Sequence, residues 1–307
     1  MGPGLRAPSH RPVKVRAAGA ARSGTMEGVS GLADLPVAVF DSGVGGLTVL
    51  HELLVSLPSE DYLYLGVTAR LPYGNRTPEE LRAFSIEIVD HLLELGAKLI
   101  VVACNSASAA AIDAVQRHLD RRAHEIDVIG VLSPAAQLAV AASRGGRIGL
   151  LATPATVASG AYERIILAAD PHVHIESVAC PDLASVIEAG FPFDEQLVET
   201  VRSYCAPLRD AEVDTVILGC THFPLIAPML QRMLGRGVTL VGSGPGVTRS
   251  VERALAARGL LNPRRGEGSY QFRCTGPVDS FHALGTRFLQ MPLGEVTQVQ
   301  LGVRLAA

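Results

Sequence analysis

The sequence predicts an α/β protein made of two similar parallel-sheet domains, with a ligand site in the cleft between them. Three observations carry this. Short apolar runs alternate with helical patterns along the chain. The runs are continuously apolar rather than alternating, which marks parallel strands covered on both faces. A single local grammar also occurs twice: strand, cysteine, two polar residues, helix.

Taken in order, Val37-Ala38-Val39-Phe40 reads as the first buried strand, and Leu47, Leu50, Leu53 and Leu54 form one stripe of the helix after it. Further strands are expected at Tyr62–Leu65, Leu99–Ala103, Val128–Leu132, Ile148–Ala152 and Thr215–Leu218. Ile112, Val115 and Leu119 keep helical spacing after the third strand. Leu99–Cys104 followed by Asn105-Ser106 matches Thr215–Cys220 followed by Thr221-His222. Each cysteine follows, at nearly equal separation, an earlier strand that ends in a polar pair, Asp41-Ser42 or Ala152-Thr153. The expected division is an N-terminal extension at 1–34, a first domain at 35–133 plus 245–307, and a second at 134–244.

Composition bounds the rest. The 307 residues suffice for two ordinary domains, and 48% of them are hydrophobic, enough for a substantial core. A net charge of −3 gives no reason to expect nucleic acid or an anionic membrane as partner. No apolar stretch approaches the roughly 18–20 residues of a membrane span. Five scattered cysteines, with no CxxC pair and no zinc spacing, fit free thiols in a reducing cytoplasm rather than a disulfide framework or a metal site. Residues 1–25 carry Arg6, Arg11, Lys14, Arg16 and Arg22 and no acid, with no apolar core of a secretory signal. A disordered tail is expected there, with an organellar transit segment or a start at Met26 as alternatives.

Ligands of open α/β sheets bind beyond the carboxyl ends of the strands. Both cysteines and Asp41-Ser42 occupy those ends. A cysteine ahead of a helix start is placed for a thiolate, against the plain alternative of a small buried hydrophobe. Cys220 adds His222, read as a proton-handling group rather than a capping residue. If the halves face each other, the cysteines confront one another, an arrangement suited to removing a proton from one face of a carbon and returning it to the other. Asp41-Ser42-Gly43-Val44-Gly45-Gly46 lacks the nucleotide-binding patterns and reads as a tight turn admitting a small anion. Glu188, read locally, is an exposed carboxylate at a helix end. Cys180, Cys205 and Cys274 read as structural.

Four segments resemble the glutamate racemase family: Phe40-Asp41-Ser42-Gly43-Val44-Gly45-Gly46-Leu47-Thr48, Thr68-Ala69-Arg70-Leu71-Pro72-Tyr73-Gly74, Val101-Val102-Ala103-Cys104-Asn105-Ser106-Ala107-Ser108 and Leu218-Gly219-Cys220-Thr221-His222-Phe223-Pro224-Leu225. Shorter matches at 148–162, Ala179-Cys180-Pro181 and Thr275-Gly276 through Phe288-Leu289 extend the likeness from about residue 36 to the end. The resemblance implies an isomerase that interconverts L- and D-glutamate by two-base proton transfer, with no pyridoxal phosphate, other cofactor or metal. It further implies a cytoplasmic role in supplying D-glutamate for peptidoglycan, hence cell-wall biogenesis and cell shape. Its partner would be a small amino-acid substrate. A homodimer is one assembly compatible with it.

By resemblance, Cys104 acts on the D form and Cys220 on the L form. Asp41 supports the first thiol, and His222 with Glu188 supports the second. Asp41, Ser42, Tyr73, Gly74, Asn105, Ser106, Thr156, Thr221 and His222 hold the substrate. Three family carboxylates expected near the cleft are replaced here by Val67, Ser133 and Gly242, and Ser106 stands for Thr. The alternatives are a related enzyme such as an aspartate racemase, or a binding protein that kept the fold and lost activity.

Overall fold

The computed structural model describes residues 30–122, 124–190 and 195–302. The expected tail at 1–25 lies outside the described residues, but Ser30–Ala33 forms a short helix whose end is buried. Lys98 Nζ donates to the Ala33 carbonyl at 2.5 Å and pairs with the buried Glu60 at 2.6 Å, which fixes this helix to the body of the protein.

Ten strands are described: β1 (Val37–Asp41), β2 (Tyr62–Gly66), β3 (Leu99–Val102), β4 (Asp127–Gly130), β5 (Arg147–Ala152), β6 (His174–Ala179), β7 (Thr215–Gly219), β8 (Thr239–Val241), β9 (Tyr270–Cys274) and β10 (Val296–Gln298). They form a six-stranded sheet, β10-β9-β2-β1-β3-β4, and a four-stranded sheet, β6-β5-β7-β8. Every pairing is parallel. The order β2-β1-β3-β4 is repeated as β6-β5-β7-β8, which gives the sequence repeat its spatial meaning: β3 and β7, the strands that run into Cys104 and Cys220, occupy equivalent places.

The period of two along a strand sorts β1 between two cores. Val37 and Val39 join one apolar cluster, which continues into the second half, and Ala38 and Phe40 join the other. Helices cover both faces. The helix Pro78–Glu94 starts where a physical reading would start it, with Thr77 and Glu80 closing a capping box and Pro78 in the first turn. The chain passes to the second sheet through the helix Leu132–Ala142 and returns through Gly244–Arg258.

The structure departs from the expected elements in two ways. The run Val128–Leu132 does not stay extended, because β4 ends at Gly130 and Leu132 opens a helix. Its apolar residues continue onto the buried face of that helix, a case in which periodicity cannot separate strand from helix. The strands β6, β8, β9 and β10 were not anticipated. Three of them are sheet edges, two of those are only three residues long, and β6 and β9 carry charged or polar residues that break the apolar signal.

Candidate active site

The carboxyl ends of β1, β3, β5 and β7 open onto one cavity of about 250 Å³. Ser42, Tyr73 and Cys104 border it from the first half, and Thr153, Cys220 and His222 from the second. Both cysteines therefore border the same cavity, each residue under a tenth exposed.

Cys104 is the N-cap of the long helix Asn105–Arg121, so the positive end of that helix meets its sulfur. Burial pushes the Cys104 thiol up to about 12, and the neighbouring Asp41 charge adds to this against the Ala107 amide and the Ser42 hydroxyl. At neutral pH Cys104 is thus a protonated thiol, an acid facing the cavity. Its sulfur lies 3.8 Å from Ser42 Oγ.

Cys220 is placed differently from the expected grammar. No α-helix begins directly after it; a 3₁₀ turn, Phe223–Ile226, intervenes, and the α-helix starts at Ala227. A side chain takes the helix's place. His222 Nδ1 lies 3.6 Å from Cys220 Sγ, and His222 Nε2 lies 2.8 Å from Glu188 Oε1. Burial works against charge on this imidazole, but the Cys220 sulfur and then Glu188 outweigh it and hold His222 up to about 10. The Phe288 ring packs edge-on against it, with centroids 5.0 Å apart. A protonated histidine beside a sulfur is the environment that favours a thiolate. The Cys220 wall therefore carries a cationic imidazole where the Cys104 wall carries a helix end.

Glu188 corrects its local reading. It ends the helix Leu183–Glu188, yet its side chain is 24% exposed and turned onto His222 rather than to solvent. Asp41, at the end of β1, is fully buried and does not border the cavity. Its Oδ1 accepts from the Gly43 amide at 3.0 Å and its Oδ2 from Thr221 Oγ1 at 3.4 Å, so it ties the two halves together. Burial raises its carboxyl above the usual range, against the His222 charge and the Gly43 and Gly46 amides.

Gly74, Asn105, Ser106, Thr221 and Glu188 also border the cavity. Asn105 Oδ1 accepts from the Tyr162 hydroxyl at 2.8 Å, while its Nδ2 and the Tyr73 hydroxyl are buried without partners. Buried donors left open in a cavity are groups held ready for a ligand. Thr156 is fully buried behind this wall, with its Oγ1 3.3 Å from Ser106 and 3.1 Å from Thr153. Thr153, missed as a site residue, is the side chain that reaches the cavity. Its signal was present in the strand-end pair Ala152-Thr153, which mirrors Asp41-Ser42.

Glycine is required at position 45, where the first half packs closely on Thr221 and His222 of the second. A Cβ there would lie 2.3 Å from Thr221 Oγ1 and 2.5 Å from His222 Cε1. The three departures from family carboxylates do not converge on the cleft. Val67 is buried in an apolar cluster, Ser133 is exposed on its helix, and Gly242 borders a second, smaller cavity behind Cys220.

Residues 49–262 match the Asp/Glu/Hydantoin racemase family. The chain belongs to this family. Among its relatives, the glutamate racemase of Geobacter metallireducens is 41% identical over 265 residues, covering 86% of this chain and 96% of that protein. That of Mycobacterium bovis is 42% identical over 266 residues, with 86% and 96% covered. The crystal structure of a glutamate racemase isoform from Bacillus anthracis superposes with a TM-score of 0.83 at 36% identity, covering 88% of this chain and 99% of that one. The Francisella tularensis glutamate racemase in complex with D-glutamate gives a TM-score of 0.81 at 32% identity, with 88% and 99% covered. This racemase fold, two parallel-sheet α/β units around a cleft, is the one expected from the sequence. As a member of this family the chain is an amino-acid racemase. Among the described residues, no group of three or more His, Cys, Asp or Glu is placed to hold a metal ion, and no helix is long and apolar enough to cross a membrane.

Proposed function

We propose that this racemase interconverts L- and D-glutamate by moving the α-proton between Cys220 and Cys104, with no cofactor or metal. One observation carries the mechanism: the two thiols stand at equivalent strand ends of two similar sheets and border one cavity. The relatives and the D-glutamate-bound neighbour support glutamate as the substrate.

In this reading Cys220, beside the protonated His222, takes the α-proton of L-glutamate as Cys104 gives its proton to the opposite face. The reverse reaction exchanges the roles. The C–H bond broken and the C–H bond formed lie on opposite faces of the same carbon, and each sulfur changes by one proton. The α-proton is very weakly acidic, so the charge that develops on the substrate needs fixed donors. The open first turn of the helix after Cys104, Asn105 Nδ2 and the Tyr73 hydroxyl are available for it. Ser42, Gly74, Ser106, Thr153 and Thr221 border the remaining space around the amino and carboxylate groups. Asp41 and Thr156 hold these groups in place from behind. A cytoplasmic supply of D-glutamate for peptidoglycan, and a homodimer, belong to the same proposal.

Circular dichroism of L- or D-glutamate with purified protein and no added cofactor tests the substrate. In deuterated water, new product enantiomer at low conversion should carry deuterium, because the acid on the far face has exchanged with solvent. Substantial protium in the product would mean one base serving both faces and would overturn the two-thiol mechanism. Faster racemisation of aspartate than of glutamate would overturn the substrate assignment.

A further inference from the structure

Two-thiol racemisation leaves the enzyme in the wrong protonation state. After each net conversion in one direction, Cys220 holds a proton it must lose, or lacks one it must regain, before the same enantiomer can react again. That exchange needs a proton partner for Cys220 other than the substrate, after product has left.

Cys220 also borders a second cavity, of about 80 Å³, on its far side. That volume admits more than one water molecule. Glu52, from the helix Leu47–Ser56, forms one wall and is only half buried, so the residue meets both the cavity and bulk solvent. The carboxylate arm is held there by the close packing of Glu52 Cγ over Gly244, where a Cβ would lie 2.4 Å away. Thr48 and Ser243 supply hydroxyls along the same wall, and Thr48 Oγ1 is fixed by the carbonyls of Gly45 at 2.9 Å and Thr221 at 3.0 Å. Gly242 also borders the cavity and leaves room in it, since a Cβ at Gly242 would meet nothing nearer than Pro224 at 4.0 Å. Glu52 is the acid that borders the cavity.

We propose that Glu52 and the cavity behind Cys220 form the path by which this thiol exchanges its proton with solvent, resetting the racemase between turnovers. The inference rests on the two-thiol reading. Each reset is a simple transfer: the proton on Cys220 Sγ passes through water to a Glu52 oxygen and from there to bulk, and the reverse transfer restores it. Glu52 touches no substrate and acts through Cys220.

The test separates reset from chemistry. Reset follows product release, so slowing it lowers kcat while leaving the capture and proton-transfer steps within kcat/KM. Glu52→Gln, which keeps the side-chain volume, should lower kcat at least fivefold in both directions and kcat/KM less than twofold. Added formate or acetate, a small mobile acid, should restore kcat in this variant, and Glu52→Asp should retain more than half of it. Gly242→Leu, which adds a side chain at another residue bordering the cavity, should give the same split. Equal losses in kcat and kcat/KM, or no recovery with added acid, would assign Glu52 a structural role and overturn the proposal. If Glu52→Gln fails to fold, Gly242→Leu decides: an unchanged kcat overturns it. Failure of the underlying reading looks different, because the unaltered protein itself would then put no solvent deuterium into product.

Discussion

Glu188→Gln removes one charge from the Cys220 side while preserving the reach of the side chain. The hydrogen bond it alters, Glu188 Oε1 to His222 Nε2, is 2.8 Å long. Bonds to charged groups contribute about 1.5–3 kcal/mol. Glu188 is 24% exposed, so solvent screens the pair and the lower end applies, about 1.5 kcal/mol. That corresponds to about one pKa unit on His222, which the native site holds up to about 10. His222 therefore stays protonated at neutral pH in the variant, and the rate at pH 7.5 should fall less than tenfold. The larger effect lies at high pH, where the alkaline limb of kcat/KM should move about one unit toward neutrality. The substrate ammonium titrates in the same region but is common to both proteins, so the difference between the two profiles is what counts. Enantiomers have equal free energies, so the shift must be the same for L- and D-glutamate. Circular dichroism initial rates from pH 6 to 11 measure it. An alkaline limb that does not move would refute the view that Glu188 and His222 act as one charged unit on Cys220.

Cys104→Ala and Cys220→Ala should each abolish racemisation with the fold intact, since little buried volume is lost; a rate above a few per cent of the parent would contradict the two-thiol mechanism. Tyr73→Phe deletes a buried hydroxyl without a partner, so thermal stability should hold or rise while kcat/KM falls about fivefold, the equivalent of about 1 kcal/mol; a fall in Tm with no change in kcat/KM would show a structural role only. Gly45→Ala drives a methyl into Thr221 and His222, so it should cost about 1–3 kcal/mol of stability and at least tenfold in rate, read by thermal melts and kinetics. His222, raised above its ordinary value of 6.5, stabilises the fold fully below pH 6.5 and loses that contribution as pH rises through about 10. The unaltered protein should therefore lose melting temperature from pH 7 to 10 more steeply than His222→Gln, and parallel curves would contradict the assignment.

The sequence carried the sheets where strands are buried on both faces. β1, β2, β3, β5 and β7 are continuous apolar runs, and no other regular structure accommodates such short, bounded segments as well. It failed at the margins, where an edge strand such as Thr239–Val241 offers three residues and no pattern. The two thiols were legible because each closes a strand, and their equivalence was legible because the grammar repeats. Glu188 was not legible from its surroundings. Its role depends on His222, 34 residues away and on another element, and a helix-end carboxylate looks the same whether it faces water or an imidazole. The same limit explains Thr153 and Thr156. Three residues apart at the start of one helix, they differ only in which of them reaches the cavity, a matter of how that helix sits on Ser106.

The two sides of the cavity solve one problem by different means. A sulfur that must hold negative charge in a buried site needs a fixed positive partner. On the first side that partner is the backbone: Cys104 caps a helix of 17 residues, whose aligned amides require no proton and are insensitive to pH. On the second side the regular helix starts too late, and a titratable pair, His222 with Glu188, replaces it. The enantiomers are nevertheless equal in energy, so the two sides must deliver equal kcat/KM in opposite directions. Asp41 is placed to balance them. Buried beside Cys104, it opposes charge on that sulfur, while it accepts the Thr221 hydroxyl from the opposite half and feels the His222 charge. One carboxylate thus weakens the thiolate on the helix side and strengthens the cation on the histidine side. The equilibrium between the enantiomers keeps kcat/KM equal in the two directions, so a substitution that alters only one sulfur's surroundings shows its asymmetry in isotope effects, pH limbs or kcat and KM taken separately.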